Sequence, residues 1–320
     1  MRYIVTGCDG QLGGRVAADM LTEVAGEQLT FTCPDFNRVP KPRKDYWEFL
    51  GVSLREADYN NKEQMIQAFQ DGDRLYVVSG VIIGPERVQQ HKNVIDAAMA
   101  AGVEHITYTS FLGADRPEYT QFVLPDHTAT EEYLRSSGVN FNIMRNNLYL
   151  ENYLTNSVML ANISGDKWVT TAGDGKATFI PKDDSGRVAT ALLLGKGEHN
   201  MDYDIVGGEL ISQREICKMV SKFSGINYEY VTLKEDAFYE YLDSIKIPRD
   251  SYGDYSVSPV PWCGNDMVTN ESSIRDGLMA IQNDNVEKLT GRKPLCCADL
   301  LEKYAYVWRN RVSTYWGIKP

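Results

Sequence analysis

The sequence predicts a doubly wound, parallel α/β sheet with a smaller, mostly helical second lobe. Three observations support this fold class. A short apolar strand runs directly into a glycine-rich turn at the start of the chain, strand-like and helix-like segments alternate over the first half, and helical patterns predominate afterwards. The chain has 320 residues, 43% of them hydrophobic, which is enough for one large domain or two.

The first strand, over residues 3–6, leads into the turn Gly7-x-x-Gly10-x-x-Gly13. Gly7 permits the bend, Gly10 lets main-chain N–H groups approach a phosphate, and Gly13 lets the next helix pack close to the sheet. Apolar residues at helical spacing follow over 15–24, so the positive end of this helix faces the turn. The pattern predicts the dinucleotide turn of a Rossmann-type fold; a structural turn in another α/β fold is the alternative. The predicted cofactor contacts of the turn are Thr6, Gly7, Gly10, Gln11, Leu12 and Gly13.

The other elements of the first half follow in alternation. Strands are predicted over residues 29–33, 54–57, 74–79, 105–110 and 140–144, and helices over 62–70, 85–101 and 126–136. Ligands of such sheets bind beyond the carboxyl ends of the strands, so the loops there are expected to carry the chemistry.

A basic loop follows the second strand. Asp35 stands where an acid that binds the ribose 2′-hydroxyl of NAD is expected. Arg38 and Lys41, with Arg43 and Lys44 beside them, suit a 2′-phosphate instead. The basic residues favour NADP as the cofactor and leave NAD open. A solvated loop in which Asp35 only shapes a turn is the further alternative.

The third and fourth strands end in residues that suit the rest of a dinucleotide. Asp58 is predicted to accept a hydrogen bond from the adenine amino group and Tyr59 to flank the base, although Asp58 also suits the cap of the next helix. Ser79, Gly80 and Val81 are predicted to let main chain lie against the cofactor.

The fifth strand ends in hydroxyl groups, since Thr109 and Ser110 are its last residues and are expected near the nicotinamide. In the ordinary short-chain dehydrogenase plan, a serine there precedes a Tyr-x-x-x-Lys helix. Here His127 and Glu131 occupy those two positions. The intrinsic pKa of histidine, near 6.5, makes His127 the best proton donor among the candidates, with packing against the cofactor as its alternative role.

Polar residues also follow the sixth strand. Arg145, Asn146 and Asn147 are predicted to meet the nicotinamide carboxamide. Pairing of Arg145 with Glu131 or Glu151 is the alternative.

The chain resembles the NmrA-like branch of atypical short-chain dehydrogenases, and within it the members that reduce quinones and triphenylmethane dyes. The motifs that carry the resemblance are Thr6-Gly7-x-x-Gly10-Gln11-Leu12-Gly13, Asp58-Tyr59, Gln90-His91-x-Asn93-Val94, Ala101-Gly102-Val103, Tyr108-Thr109-Ser110, His127-x-x-Thr130-Glu131, Arg145-Asn146-x-x-Tyr149, Glu151-Asn152-Tyr153 and Ala172-Gly173-Asp174-Gly175.

The resemblance implies NAD(P)H-dependent hydride transfer to a quinone-like or other conjugated acceptor without a Tyr-x-x-x-Lys pair. The candidate catalytic residues are Ser110, His127, Tyr149 and Tyr153. A reductase of another aromatic or enone substrate, and a non-catalytic NAD(P)-binding redox sensor, are the alternatives.

Two parts of the chain depart from the family pattern. Pro34 stands near the position where the family commonly has an arginine, and residues 248–275 look like an inserted loop. The C-terminal tail carries the aromatic residues Tyr306, Trp308, Tyr315 and Trp316. Lining a pocket for a planar substrate, covering the core and forming a dimer contact are three roles that the sequence leaves open for them.

The predicted domain organisation places the cofactor-binding domain at residues 1–150, with a return segment at about 186–207. The substrate lobe takes residues 151–185 and 208–320. Its predicted elements include helices over 212–224 and 231–242, the first with a capping box from Ser212 to Glu215.

Composition narrows the function classes. A net charge of -11 argues against a nucleic-acid surface, and no apolar run is long enough for a membrane span. A strand directly after Met1 leaves no room for a signal peptide, and the six cysteines follow no disulfide or zinc pattern, so a cytoplasmic location is expected. The expected partner is a small aromatic or quinone-like substrate. No metal is expected, and a homodimer is left open.

Overall fold

A seven-stranded parallel sheet forms the centre of the computed structural model, which describes residues 1–319. Pro320, the last residue of the predicted lobe, lies outside the described residues. The strands are β1 (Tyr3–Thr6), β2 (Leu29–Cys33), β3 (Ser53–Glu56), β4 (Arg74–Val77), β5 (His105–Phe111), β6 (Asn140–Asn146), β7 (Lys167–Thr170), β8 (Lys176–Ala177), β9 (Met201–Ile205), β10 (Ile211–Ser212) and β11 (Glu229–Thr232). The order in the large sheet is β3-β2-β1-β4-β5-β6-β9, with every neighbouring pair parallel. The predicted doubly wound sheet is confirmed.

Fourteen helices surround the strands in the described part of the chain. They are α1 (Gln11–Glu23), α2 (Lys41–Phe49), α3 (Lys62–Phe69), α4 (Pro85–Ala100), α5 (Leu124–Ser137), α6 (Leu150–Asn152), α7 (Val158–Ile163), α8 (Lys182–Leu193), α9 (Gln213–Ser224), α10 (Glu235–Ser244), α11 (Gly264–Arg275), α12 (Asn285–Thr290), α13 (Cys297–Tyr304) and α14 (Tyr306–Arg309). A π-helical turn, Tyr153–Ser157, joins α6 to α7.

Apolar layers cover both faces of the sheet. Successive residues of a strand point to opposite faces, so Val5 packs with α1, α2, α8 and α12, whereas Ile4 packs with α3, α4 and α5. Burial on both faces is what an all-parallel sheet requires. The order of the strands reverses between β1 and β4, and a crevice at such a switch point is where these sheets bind ligands.

The second half of the chain builds a separate apolar core around Trp168 and Trp308, both at most 2% exposed. Two small sheets, β7 with β11 and β8 with β10, belong to this half. The chain returns to the large sheet through β9, which pairs with β6. The division at residue 150 stays a prediction.

Three segments differ from the sequence prediction. The basic stretch from Lys41 is the helix α2 and not a loop, because Pro40 caps it and Pro42 occupies its first turn, where the missing N–H of proline costs no hydrogen bond. The predicted inserted loop 248–275 ends in α11, which carries the buried residues Val268 and Ile274. The predicted helix 231–242 is divided into the end of β11 and α10.

Aromatic residues of the C-terminal tail pack in the lobe core and against the segment before α11. Trp308 is 2% exposed within the lobe core. The Tyr315 ring packs edge-on against Trp262, with centroids 5.0 Å apart, and the main-chain N–H of Tyr315 donates to the Pro259 carbonyl. Trp316 is 81% exposed.

Within residues 1–319, no helix combines the length and the apolar character needed to cross a bilayer. That part of the chain also holds no group of three or more His, Cys, Asp or Glu side chains arranged to bind a metal ion.

Candidate functional site

The glycine turn leaves an open anion site at the start of α1. Gly7 adopts a positive φ of 61°, and a Cβ atom on Gly13 would overlap the carbonyl groups of Gly7 and Thr6. Gly10 precedes α1 without a side-chain cap, and the first turn of the helix holds no acidic residue. Because the first N–H groups of a helix have no intrahelical partner, those of Gln11, Leu12 and Gly13 are available to a phosphate.

Lys182 lies beside this turn although 171 residues separate it from Gln11. The Nζ of Lys182 donates to the Gln11 side-chain oxygen at 2.5 Å and to Asn152 Oδ1 at 3.3 Å. It also lies 5.4 Å from the centre of the Tyr149 ring. Lys182 is not among the residues predicted from the sequence, because no local motif connects the start of α8 with the start of α1.

The residues after β2 separate into a turn and a helix. Asp35 Oδ1 accepts from the Asn37 main-chain N–H at 2.8 Å, so Asp35 shapes a turn. The Arg38 guanidinium is 63% exposed and lies 3.9 Å from Asp9 on the glycine turn. The predicted cofactor contact of Lys41 finds no support in the structure, since Lys41 belongs to α2 and pairs at 2.7 Å with Asp45 one helical turn further on.

The Tyr59 hydroxyl forms hydrogen bonds beside the glycine turn. Its hydroxyl donates to the Val78 carbonyl at 3.0 Å and contacts Thr6 Oγ1 at 2.6 Å, while Thr6 Oγ1 accepts from the Val78 N–H. The hydroxyl therefore ties β1 to the end of β4. Asp58 does not cap α3, because Asn61 does so; its carboxylate accepts from the Asn60 N–H at 2.9 Å.

The ends of β4 and β5 are joined by hydroxyl groups that are already engaged. Ser79 Oγ donates to the Thr109 carbonyl at 2.6 Å, and Thr109 Oγ1 bonds with the Tyr76 hydroxyl at 2.7 Å. The Gly80 N–H donates to His91 Nε2 at 2.9 Å. The segment from Gly80 to Val81 continues toward solvent, with Val81 81% exposed.

His127 belongs to a buried chain of hydrogen bonds. The proton on each imidazole ring of this chain can be assigned by starting from the main-chain N–H of Gly80. Since His91 Nε2 accepts from Gly80, the His91 proton is on Nδ1, which bonds Thr130 Oγ1 at 2.9 Å. The Tyr108 hydroxyl lies 3.3 Å from that nitrogen and 2.8 Å from His127 Nδ1. We assign Tyr108 as the donor to His127 Nδ1, which places the His127 proton on Nε2.

Burial lowers the pKa of His127 well below its usual range and that of His91 to about 3, with the Arg87 guanidinium adding to both effects. His127 is thus a neutral hydrogen-bond donor and not the imidazolium that its intrinsic pKa suggested. The Phe111 ring stacks on the imidazole, with centroids 6.1 Å apart, and gives the site an apolar wall.

The neutral histidines are expected to make the folded protein acid-sensitive. An unfolded histidine takes up a proton near pH 6.5, whereas folded His91 does so only near pH 3, so stability falls as the pH drops below 6.5. From pH 7 to 5.5 this linkage costs roughly 1 kcal/mol for His91. Urea unfolding at both pH values should show a smaller acid loss for His91→Gln than for the natural protein. Equal losses would contradict the assignment of a neutral His91.

Ser110 belongs to a buried ion-pair network and has no free proton. Its hydroxyl donates to Glu131 Oε1 at 2.6 Å. The Arg145 guanidinium holds the same carboxylate in a two-pronged contact, at 2.9 and 2.5 Å, and also meets Asp202 and Asp115 at 3.0 and 2.6 Å. The pairing of Arg145 with Glu131, the alternative that the sequence left open, is present. The guanidinium is thereby engaged, and a cofactor contact of Arg145 stays a prediction. The Ser110 hydroxyl is engaged as well, in fixing Glu131.

The two asparagines after Arg145 differ in whether a side-chain polar atom lacks a hydrogen-bond partner. The Asn147 amide donates to the Thr178 and Met279 carbonyls at 3.0 Å each, and its oxygen accepts from the Leu148 N–H. This side-chain amide therefore ties the lobe to β6, and the nicotinamide contact of Asn147 stays a prediction.

Asn146 and Tyr149 form the neighbouring polar pair. Asn146 Nδ2 donates to the Tyr149 hydroxyl and to Ser185 Oγ, each at 2.9 Å, while its buried Oδ1 has no partner within residues 1–319. Burial raises the pKa of Tyr149 to about 12, so the phenol is neutral and retains a proton to donate. Asn146 keeps an unused acceptor.

Tyr153 opens the π-helical turn, a feature often found at functional sites. Its ring packs on Phe179, with centroids 4.3 Å apart. Within the described residues its hydroxyl makes no hydrogen bond, in contrast to Ser110 and Tyr149. Burial raises the pKa of Tyr153, and the carboxylates of Glu271 and Asp266 add to the effect.

Two cavities border this region. One, of about 320 Å³, lies between the segment after β4 and the stretch before α11, and its walls include Val81, Ile82, Tyr252, Tyr255 and Trp262. The other, of about 680 Å³, is lined by residues 113–132 and excludes His127. The smaller cavity is the more apolar and shares its wall with the loop that carries Gly80. It is at the lower end of the sizes typical of small-molecule sites.

Comparison with known proteins places the fold and the motifs in a family. A family model described as the NmrA-like family matches residues 2–260. Quinone oxidoreductase 2 of Escherichia coli (strain K12) is 31% identical over 245 residues, which are 76% of this chain and 82% of that protein.

Solved structures show the same architecture. The Escherichia coli NADPH-dependent quinone oxidoreductase QOR2, complexed with NADPH, superposes with a TM-score of 0.82 at 27% identity, over 95% of this chain and 99% of that chain. Triphenylmethane reductase from Citrobacter sp. gives a TM-score of 0.80 at 24% identity, with the same coverage, and supports the fold alone.

Proposed function

The chain belongs to the NmrA-like family, and from this membership we propose that it reduces a quinone-like, conjugated acceptor with NADPH. Its broader class, an NAD(P)H-dependent reductase, follows from the family and from its similarity to quinone oxidoreductase 2. The observation that carries the proposal is the open glycine turn on the same edge of the sheet as a buried, neutral His127.

The residues present fit a nicotinamide dinucleotide. The uncapped α1 supplies N–H groups for the pyrophosphate, and the glycines at 7 and 13 remove the Cβ atoms that would fill its cradle. Asn146 Oδ1, buried and without a partner in the described residues, suits the N–H groups of a carboxamide. When bound, the reduced nicotinamide supplies a hydride from its C4 atom.

The side chains of the chain orient the acceptor and offer it a proton. We assign to His127 Nε2–H a hydrogen bond to the acceptor oxygen, held in place by Tyr108. The Tyr153 hydroxyl, which has no other hydrogen-bond partner in residues 1–319, is a second donor. Neutral donors suffice for a quinone because its reduced oxyanion is delocalised. This is the physical reason why a site without a Tyr-x-x-x-Lys pair favours such an acceptor over a simple ketone.

The aromatic cavity beside the loop after β4 suits a planar acceptor. Tyr252, Tyr255 and Trp262 supply ring surfaces, and aromatic side chains pack well against flat conjugated molecules. We propose that acceptors enter through this cavity. A cationic triphenylmethane dye is the second acceptor class, and a non-catalytic sensor is the alternative without turnover.

Acceptor-dependent oxidation of NADPH tests the proposal. The purified protein is mixed with NADPH and a panel of benzoquinones, naphthoquinones, cationic dyes and simple ketones, and the absorbance at 340 nm is followed. Faster loss with quinones than with ketones is expected. Tight binding of NADPH with no oxidation by any acceptor would contradict the reductase function and favour a sensor.

Arg38 is expected to set the preference for NADPH. It is the one predicted basic contact that remains beside the glycine turn, and a guanidinium binds a phosphate through charge-assisted hydrogen bonds. Arg38→Ala should weaken NADPH binding by about 10-fold or more and leave NADH binding nearly unchanged. Lys41→Ala is the matched control and should change neither. Fluorescence titration measures both, and equal weakening of the two cofactors by Arg38→Ala would overturn the assignment.

A further inference from the structure

The Lys182 ammonium has no carboxylate in direct contact among the described residues. The side chain is half-buried, and no carboxylate oxygen of residues 1–319 lies within 4.0 Å of its Nζ. Its two contacts, Gln11 Oε1 and Asn152 Oδ1, are neutral amide oxygens. A charge withdrawn from water is costly unless it is paired, so this ammonium is poised for a negatively charged ligand.

The nearby carboxylates are committed elsewhere. Asp183, the next residue, is held by Arg15 at 2.5 Å and by Lys303 at 2.6 Å. Both oxygens of Glu151, a residue 1% exposed, accept from the main-chain N–H of Lys182 at 2.9 Å and not from its ammonium. The surroundings thus fix the lysine in place and leave its ammonium without a carboxylate in direct contact.

The position of the ammonium identifies the ligand class. Gln11 is the first residue of α1, whose opening N–H groups face the glycine turn without a cap. Lys182 and this helix end are two independent positive features that converge at one place. Burial lowers the pKa of Lys182 to about 8, while Glu151 raises it and Arg15 lowers it further, so the side chain is still mostly protonated at neutral pH.

We propose that the Lys182 ammonium binds the pyrophosphate of the cofactor and acts as its fixed counter-charge. The inference rests on the proposed function, since it requires a dinucleotide on the glycine turn. It assigns to the first residue of α8 a cofactor contact that local sequence patterns around the turn do not reveal. The Gln11 side chain then acts as a positioning group that aims the ammonium.

Binding of cofactor fragments tests this role without any turnover. Fluorescence titration with NADPH, and competition by 2′-phospho-ADP-ribose and by adenosine 2′-monophosphate, are measured for the natural protein and for Lys182→Met. The variant should bind NADPH and 2′-phospho-ADP-ribose about 10 to 100 times more weakly. Adenosine 2′-monophosphate, which has no pyrophosphate, should bind equally to both proteins.

Lys303→Met is the matched control, because Lys303 also approaches this region but is paired with Asp183. It should leave all three affinities unchanged. Thermal unfolding verifies that each variant is folded, and Lys182→Gln makes the same change of charge with a polar end if the methionine variant fails to fold.

Two results would overturn the Lys182 assignment and leave the proposed function intact. One is unchanged affinity of Lys182→Met for 2′-phospho-ADP-ribose, and the other is equal weakening of adenosine 2′-monophosphate, which would indicate general damage to the site. Failure of the natural protein to bind NADPH would instead overturn the proposed function, and the Lys182 assignment with it.

Discussion

Replacement of Gly13 by alanine is expected to weaken NADPH binding and lower kcat/KM on the order of 100-fold, because it displaces the groups that position the cofactor. The added Cβ would overlap the main-chain carbonyls of Gly7 and Thr6, neither of which can move without shifting β1 or its turn. The start of α1 must therefore move away from the turn. Fluorescence titration and steady-state kinetics measure the two effects.

Gly14→Ala is the control for this prediction. Its Cβ would approach only the Cys8 carbonyl, at 3.3 Å, so a shift of a few tenths of an ångström accommodates it. Alanine also favours the helix relative to glycine by up to about 1 kcal/mol. This variant should fold and bind NADPH nearly as well as the natural protein. Normal binding by Gly13→Ala would show that the cofactor does not rest on the turn.

Replacement of Arg145 by methionine is expected to cost about 3–5 kcal/mol of unfolding free energy, the usual penalty for leaving one partner of a buried ion pair without the other. Arg145 and Glu131 are 5% and 4% exposed. After the substitution, the Glu131 carboxylate would retain a bond from Ser110 and a peripheral contact with Arg135 at 3.3 Å. Urea unfolding followed by circular dichroism measures the loss.

Arg135→Met is the control that distinguishes the loss of a buried positive charge from the loss of an exposed one. Arg135 contacts the same Glu131 and also Asp202, but its side chain is 39% exposed, so its loss should cost no more than about 1 kcal/mol. Adding Glu131→Gln to Arg145→Met should recover part of the stability, because the amide removes the unpaired charge. Equal losses for the two arginine variants would contradict a buried ion pair as the support of Ser110.

The parts of the fold that could be predicted from the sequence are those defined by short local patterns. The strand over residues 3–6 and the glycine turn are defined by neighbouring residues, and the structure places β1 at the same residues. The Ser212 capping box is likewise a pattern of four residues, and both of its hydrogen bonds are present. Helix α2 was missed because its prolines, read as loop residues, stand at a helix start where proline is well tolerated.

The candidate site was predicted less completely, because its side chains are paired across the sheet. His127 was identified from its place in the helix, but its neutral state depends on burial and on Arg87 and His91, which belong to another helix. The catalytic role predicted for Ser110 finds no support in the structure, because its hydroxyl donates a hydrogen bond to Glu131. Lys182 reaches the turn only after the chain has crossed the lobe and returned, a contact that no local spacing encodes.

A single turnover with NADPH bound to the protein tests hydride transfer most directly. NADPH, deuterated separately at each of the two C4 positions, is bound in stoichiometric amount and mixed rapidly with a naphthoquinone. One NADPH is expected to be consumed for each quinol formed, with a primary isotope effect for only one of the two deuterated forms. Persistence of the 340 nm band after mixing, with NADPH still bound, would contradict hydride transfer as the function of this protein.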